Sequence, residues 1–313
     1  MNKATLVTAL YNHSPMEIIG GRGWDFSFFA APFLNLLKLD LPLVIYTHQK
    51  IKDDLSIFLE SHNIKDVHVI NYDLYDFKYS EDVLKLKRDG GLFINDKLKD
   101  DVHYISNDRN THLCLNKLYW LNKEAEVNRF NSDRFFWMDA GLFHHGIFPE
   151  KYGGRERMSR QENDPSLYYP KNQSSIFTPD LGASFNKLSD QFLSLRHSEM
   201  PIKEEMRHLL NVDGQTLGYI VGGFLGGSKQ YINNVLHHFD KGLSIVLENK
   251  ILTLEEDLLS CITAWQPDLY DLISFNNWHH DIKGEPCYYG AGEDAQCFYK
   301  IFKDVFPYLS QFK

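Results

Sequence analysis

The sequence has no long uninterrupted apolar run. Its most apolar segment, FSFFAAPFLNLLKLDLPLVIYT, is broken by two prolines and by Asn35, Lys38 and Asp40. A helix that crosses a bilayer needs about 20 consecutive apolar residues, so this segment does not predict a transmembrane helix. The first apolar run, ATLVTAL, follows a single lysine and has no small-residue cleavage site, which indicates a strand rather than a signal peptide. These features predict a cytoplasmic protein, and peripheral contact with the inner face of a membrane stays open.

Positive charge is also scarce. The chain carries 33 Lys and Arg against 42 Asp and Glu, a formal net charge of -9, and no local basic cluster offsets it. Proteins that bind nucleic acids present a basic stripe to the phosphates. The composition therefore argues against a nucleic-acid partner.

Cysteine is infrequent and widely spaced. The four residues, Cys114, Cys261, Cys287 and Cys297, form no close pair with metal-ligand spacing. This pattern favours reduced thiols in a reducing compartment. With 43% hydrophobic and 24% charged residues, the 313-residue chain otherwise has the composition of a soluble globular protein.

Short apolar runs alternate with segments of helical period. The predicted strands are ATLVTAL, PLVIYT, DVHVI, RFFWM, SSIFT, TLGYIVGGF and DLYDLISF. The predicted helices lie near 24–38, 51–62, 111–128, 229–248, 254–265 and 294–306. This alternation is typical of an α/β domain, and the near absence of polar alternation indicates strands covered on both faces. No repeat or linker divides the chain, so we expect one domain.

The segment RFFWMDAGLFHHG places a carboxylate directly after an apolar strand. Asp139 would be costly to bury without a partner. Ligands in open α/β sheets bind beyond the carboxyl ends of the strands, where LYNHS and Thr47 are also expected. Asp139 is therefore predicted to face a cation or a ribose hydroxyl. A side-chain turn with its own backbone would explain the residue equally well.

Four glycines surround Phe224 and Leu225 in YIVGGFLGGSKQ. Their spacing does not match the dinucleotide fingerprint G-x-G-x-x-G. Without side chains at Gly222 and Gly223, backbone amides could approach a hydroxylated or phosphorylated ligand. A plain tight turn is the alternative.

Three consecutive acids follow Thr253 in TLEEDLLSCITAW. Thr253 and Glu256 fit a capping box, and Glu255 and Asp257 would lie in the first turn, where the helix dipole favours negative charge. Three acids exceed what a cap requires, so one of them could point into a site as a base or as a hydroxyl acceptor. Both interpretations stay open.

After the last predicted strand, SFNNWHHDIKG combines an aromatic ring with imidazoles and amides. Trp278, His279 and His280 suit sugar stacking or metal ligation by neutral imidazole. A polar loop held by one buried tryptophan is the alternative.

Taken together, these segments resemble the HtrL/YibB family of bacterial proteins, which is similar to glycosyltransferases of the glycosyltransferase-A fold. The resemblance is carried by VTALYN, PLVIYT, NKLYWLNKEAEVNRFNSDRFFWMDAG, VGGFLGG, LEEDLLSCITAWQPDLYDL and Trp278. Their order and spacing agree over residues 4 to 280. The resemblance implies one glycosyltransferase-A-like α/β domain over residues 1–313, with a mostly parallel central sheet flanked by helices. Residues 1–145 would be the nucleotide-binding half and 146–313 the acceptor-side half.

The implied activity is transfer of a sugar from a nucleotide-sugar donor to a hydroxyl acceptor, of hexosyltransferase type, in surface polysaccharide synthesis. A UDP-sugar is the favoured donor, and a glycan or lipid-linked glycan is the expected acceptor. The donor-binding residues would be Thr8, Ala9, Leu10, Tyr11, Thr47, Lys117, Asp139, Ala140 and Gly141. Gly222, Gly223, Trp278 and His279 would line the sugar or acceptor side. Glu256, with Asp257 beside it, would supply the catalytic carboxylate, and Lys117 would face the diphosphate.

The resemblance also implies a divalent cation, Mn²⁺ or Mg²⁺. Asp139 would take the place of the first Asp of an Asp-x-Asp signature, whose second position is Gly141 here. His280 is the candidate for the ligand that Gly141 does not supply.

Two other functions are compatible with the sequence. The missing second Asp suggests a non-catalytic nucleotide- or carbohydrate-binding protein of the same fold. A metal-dependent phosphoester hydrolase that uses Asp139 with the histidine pairs is a third hypothesis.

Overall fold

The structure is a computed structural model that describes residues 4–11, 36–37, 41–93, 108–140, 191–197, 202–212 and 218–275. Its strands are β1 Ala4–Ala9, β2 Leu43–Thr47, β3 Val67–Asn71, β4 Leu92–Phe93, β5 Arg134–Met138, β6 Phe192–His197, β7 Tyr219–Ser228, β8 Ile251–Leu252 and β9 Tyr270–Phe275. Its helices are α1 Gln49–Ser61, α2 Ser80–Arg88, α3 Asp108–Val127, α4 Glu204–Leu209, α5 Lys229–Glu248 and α6 Glu255–Ile262.

Seven strands form one sheet in the order β3-β2-β1-β5-β7-β6-β9, and β4 pairs with β8 separately. Strand β7 is antiparallel to both of its neighbours, and the other pairs of the large sheet are parallel. The expected α/β class and mostly parallel sheet are therefore confirmed. The carboxyl ends of β1, β2 and β5 lie at one rim, together with the amino end of β7.

Six of the seven predicted strands correspond to β1, β2, β3, β5, β7 and β9. The seventh, SSIFT, and the helix predicted near 294–306 lie outside the described residues, as does most of 24–38. Four predicted helices correspond to α1, α3, α5 and α6. The prediction missed β4, β6, β8, α2 and α4. Strands β4 and β8 have two residues each, FLSLRH is six residues long and half polar, and SEDVLKLKR and EEMRHL are mostly polar.

Helix α3 packs against β5 and β1, and α5 packs against α3. As its period predicts, Leu115, Leu118, Leu121 and Ala125 are all buried. Burial of each leucine contributes about 1.5–3 kcal/mol relative to exposure. Trp120 of α3 stacks on Trp137 of β5 with ring centroids 5.9 Å apart. This packing fixes the position of α3 beneath the rim of the sheet.

Strand β7 continues four residues beyond its predicted end at Phe224. Gly226 pairs with Phe136 of β5, and a Cβ atom there would lie 2.2 Å from the carbonyl oxygen of Phe135. Its φ of +156° is also a backbone angle that residues with a side chain rarely adopt. The absence of a side chain at Gly226 therefore allows the backbones of β7 and β5 to approach closely enough to pair.

Two further properties bear on the sequence predictions. Cys114 and Cys261 are free thiols, and the other two cysteines lie outside the described residues. None of the described helices is both long enough and apolar enough to cross a membrane.

Candidate functional site

Asp139 lies at the rim, one residue after β5. Its backbone amide donates a hydrogen bond of 2.9 Å to the carbonyl oxygen of Gly223, which continues the pairing of β5 with β7 by one step. The carboxylate that the sequence analysis singled out is therefore next to the glycine pair. The two motifs are about 85 residues apart in sequence, and antiparallel pairing brings them together.

The carboxylate of Asp139 meets two partners. The indole Nε1 of Trp137 donates to Asp139 Oδ1 at 2.7 Å. The ammonium of Lys117 lies 3.0 Å from Oδ1 and 3.3 Å from Oδ2. The side chain of Asp139 is 36% exposed, whereas that of Lys117 is 4% exposed. Among the described residues, other side chains rather than the local backbone satisfy this carboxylate. Gly141, which a side-chain turn would involve, lies outside them.

Lys117 is the centre of the cluster. From the middle of α3, its ammonium also donates to the carbonyl oxygen of Gly222 at 3.2 Å and lies 2.7 Å from Glu255 Oε1. An ammonium has three N–H donors, and here three residues accept them. A contact between Lys117 and a diphosphate would therefore have to replace one of these bonds.

The charge of Lys117 is maintained by its neighbours. Burial by itself lowers the pKa of the ammonium, but attraction from Asp139 and Glu255 outweighs that effect and raises the pKa well above its ordinary value. Lys117 thus remains positively charged at neutral pH.

An irregularity in the sheet makes the backbone of Gly222 available. In β6, Ser194 pairs with Leu225 of β7 and the next residue, Leu195, pairs with Val221, so Gly222 lies in a stretch that β6 does not pair with. The pairing with β5 ends at Phe224. Gly222 therefore donates its N–H to Glu256 Oε1 at 2.8 Å and accepts from Lys117. Such bulges re-aim backbone groups next to functional sites.

Gly222 also provides the space for Glu255. A Cβ atom at position 222 would lie 2.3 Å from Glu255 Oε1 and 3.1 Å from the Cγ of Glu256. The sequence analysis expected the missing side chain to admit a ligand. In the structure, the carboxylate of Glu255 occupies that space.

Glu256 is the half-buried acid of the cluster. It accepts hydrogen bonds from the amide of Gly222 and, at 3.2 Å, from the hydroxyl of Tyr219. Burial raises its pKa to about 7, the negative charge of Glu255 adds to that rise, and the Gly222 bond and Lys117 oppose it. A carboxyl group that titrates near neutral pH can accept or donate a proton under physiological conditions.

The capping-box interpretation of Thr253 and Glu256 is wrong. Helix α6 begins after Leu254, so its N-cap residue is a leucine rather than Thr253, and that residue makes no side-chain cap hydrogen bond. Glu256 instead reaches β7, and the hydroxyl of Thr253 donates to Asp257 Oδ2 at 3.4 Å. Gly222, which lacks a ladder partner on both sides, provides a better donor than the first-turn amides. Asp257 is buried, so of the two expected catalytic acids Glu256 is the more accessible.

Glu255 is the site residue that the sequence analysis missed. The sequence analysis placed it in the first turn of the helix and chose Glu256 and Asp257 as the acids of the site, yet the carboxylate of Glu255 is buried against Lys117. Its second oxygen, Oε2, is buried without a hydrogen-bond partner among the described residues. The excess of acids in EED was the available signal. It could not identify which acid contacts the lysine, because that depends on where α6 begins.

The residues expected to border the nucleotide lie at the same rim and are buried: Thr8, Ala9, Leu10, Tyr11 and Thr47. Thr47 donates its hydroxyl hydrogen bond to the carbonyl oxygen of Leu10. The phenol of Tyr11 donates to the carbonyl oxygen of Tyr72 at 3.0 Å, and its ring stacks on Trp120. These contacts tie the ends of β1 and β2 together.

Ala140 is buried beside Asp139. Four other expected site residues lie outside the described part of the chain: Gly141, Trp278, His279 and His280.

The oxygens around Lys117 do not fit a divalent cation at Asp139. Both carboxylate oxygens of Asp139 already contact a buried ammonium, and that positive charge would repel a second cation at the same oxygens. The described residues also contain no group of three or more histidine, cysteine, aspartate or glutamate side chains arranged to hold a metal ion.

No protein-family model matches this chain, and no curated protein matches its sequence significantly. The resemblance to the HtrL/YibB family therefore stays a prediction from sequence motifs, and the candidate function depends on the site itself.

Proposed function

We propose that this chain is a glycosyltransferase that moves a sugar from a nucleotide-sugar donor to a hydroxyl acceptor, with Glu256 as the general base. The observation that carries the proposal is the carboxyl group of Glu256, which the amide of Gly222 and the hydroxyl of Tyr219 hold at the rim of an α/β sheet and whose pKa burial raises to about 7. Ligands of such sheets bind at this rim. A general base is most effective when its pKa is near the working pH.

In the proposed reaction, Glu256 takes the proton from the acceptor hydroxyl as that oxygen attacks the anomeric carbon of the donor. The bond between the anomeric carbon and the diphosphate oxygen breaks, and the nucleoside diphosphate leaves with the electron pair. Proton transfer of this kind typically contributes about 10²–10⁴-fold to the rate. Glu256 is held for this step by the amide of Gly222 and the hydroxyl of Tyr219.

Asp139 would bind the donor through a hydroxyl group. Its carboxylate is paired with Lys117 and oriented by Trp137, and its side chain is the more exposed member of the ion pair. A carboxylate in this position suits a ribose or sugar hydroxyl as a hydrogen-bond acceptor. We expect a UDP-sugar as the donor and a glycan or lipid-linked glycan as the acceptor.

A thermal-shift panel tests donor binding. A ligand that binds only the folded state raises the melting temperature, so we expect UDP and a UDP-sugar to raise it more than GDP, CDP or ADP compounds do. The variant Asp139→Asn should reduce the shift, whereas Glu256→Gln should keep most of it. A panel in which no nucleoside diphosphate changes the melting temperature would overturn the proposal.

A non-catalytic binding protein of the same fold is the second candidate. The contacts of Lys117 favour this candidate, because three residues of the protein already accept all three N–H donors of the ammonium. The ammonium therefore has no donor left for a leaving diphosphate. Nucleotide binding without donor hydrolysis or transfer over long incubation would support this candidate against the transferase.

A further inference from the structure

We propose that the ammonium of Lys117 is the resident cation of this site and takes the place of a divalent ion at Asp139. The inference concerns the site of the proposed function and rests on it for the nature of the ligand, a nucleoside diphosphate. The assignment of the cation itself rests on geometry and can be tested without a sugar donor.

Four oxygen atoms surround the ammonium. Asp139 Oδ1 lies at 3.0 Å, Asp139 Oδ2 at 3.3 Å, the carbonyl oxygen of Gly222 at 3.2 Å and Glu255 Oε1 at 2.7 Å. Carboxylate and carbonyl oxygens are the ligands that hard divalent cations prefer. Here they are arranged around nitrogen: the Glu255 contact has the length of a charge-assisted hydrogen bond, and the other three contacts are longer. We call these four atoms the oxygen cage.

The oxygen cage depends on an irregular strand pairing, on the absence of a side chain at Gly222 and on the position of Lys117 in α3. The irregular pairing of β6 with β7 releases the carbonyl of Gly222 from the sheet, and the absence of a side chain at Gly222 admits Glu255. Lys117 is placed by the buried face of α3. Three separate elements therefore converge on one ammonium.

Lys117 offsets part of the negative charge around the cage, since one ammonium faces two carboxylates. The ionisable groups that act on its ammonium are Asp139, Glu255 and the thiol of Cys114, which lies one turn earlier on α3, and Glu256 is adjacent. A divalent ion on the same oxygens would lie close to the buried ammonium of Lys117, whose side chain is 4% exposed, and like charges at that distance repel. One cation can use the cage at a time.

Removal of the ammonium should convert the cage into a metal site. The carboxylates of Asp139 and Glu255 and the carbonyl of Gly222 would then face a space without a positive charge. The buried Oε2 of Glu255, which has no partner among the described residues, would add a further acceptor. The side chain of methionine has nearly the length of lysine without its charge, so Lys117→Met is the informative change.

The test measures Mn²⁺ binding by electron paramagnetic resonance on the purified full chain. We expect wild type and Asp139→Asn to bind Mn²⁺ equally, because Asp139 is not a metal ligand while Lys117 is present. Lys117→Met should gain a Mn²⁺ site at least about tenfold tighter than any in wild type, and the double variant with Asp139→Asn should lose it.

Two results would overturn the inference: a Mn²⁺ site in wild type that Asp139→Asn abolishes, or a folded Lys117→Met protein that gains no Mn²⁺ affinity. If Lys117→Met does not fold, Mn²⁺ binding is compared between wild type and Asp139→Asn alone. A Mn²⁺ site that Asp139→Asn abolishes would overturn the inference in that case too. Failure of the proposed function would appear separately, as the absence of any melting-temperature change with UDP in either EDTA or Mn²⁺.

Discussion

Gly222→Ala tests whether the glycine run serves the charge cluster. The added methyl carbon would lie 2.3 Å from Glu255 Oε1 and 3.1 Å from the Cδ atom of that residue. Contacts this short cannot persist, so the Glu255 carboxylate must move and its 2.7 Å ion pair with Lys117 must break. A buried ion pair that loses one partner costs about 3–5 kcal/mol.

A smaller effect acts in the opposite direction. Replacing glycine by alanine restricts the unfolded chain and stabilises the fold by about 0.4–1 kcal/mol. We therefore expect Gly222→Ala to lower the free energy of unfolding by about 2–4 kcal/mol in total. Urea unfolding followed by circular dichroism measures this change as a lower midpoint at an unchanged slope.

The matched experiment repeats the change in a Glu255→Ala background. There the displaced carboxylate is absent, and Gly222→Ala should cost less than about 1 kcal/mol, so the two substitutions should be strongly non-additive. If Gly222→Ala destabilises both backgrounds equally, the glycine is required by the backbone of β7, and the argument that it makes space for Glu255 is refuted.

Three further predictions concern other parts of the chain. Because the pKa of Glu256 is raised from 4.5 to about 7, the folded state holds the extra proton, and the free energy of unfolding should fall by up to about 3 kcal/mol as the pH rises through that interval. Glu256→Gln should abolish this fall in urea titrations at several pH values. Asp240→Asn should lower the free energy of unfolding by about 1–2 kcal/mol. Asp240 accepts hydrogen bonds from Lys78 and from two tyrosine hydroxyls, and its side chain is one third exposed. An unchanged urea midpoint would contradict this prediction. Gly226→Ala should cost at least about 3 kcal/mol, because its Cβ would meet the Phe135 carbonyl, and a wild-type melting temperature would show that estimate to be wrong.

The strands that are apolar along almost their whole length were the easiest to predict. RFFWM and PLVIYT are buried on both faces and were identified almost to the residue. Strand β6 was missed because FLSLRH is only six residues long and half polar, and its place in the sheet comes from its pairing with β7 and β9. The hydrophobic pattern of a segment indicates whether it is buried, but it does not indicate which strands it pairs with.

The site was predicted in part for the same reason. Asp139 and the glycine pair share a rim because the ends of strands meet there, which a strand assignment can anticipate. The involvement of Glu255 and the backbone groups of Gly222 that the sheet leaves unpaired depend on the register shift between Ser194 and Leu195. No residue type in either strand reports that shift, so the capping box was a reasonable but incorrect interpretation of Glu256.

The central claim is that Glu256 is the base of a sugar transfer, and the turnover of nucleotide sugars tests it most directly. The measurement is the pH dependence of UDP-sugar hydrolysis and transfer by wild type and by Glu256→Gln, each with EDTA and with Mn²⁺. The account predicts a wild-type rate that rises through an apparent pKa of about 7 and is lowered about 10²–10⁴-fold in the variant. A wild type that turns over no nucleotide sugar, or a variant that keeps the wild-type rate, would contradict it.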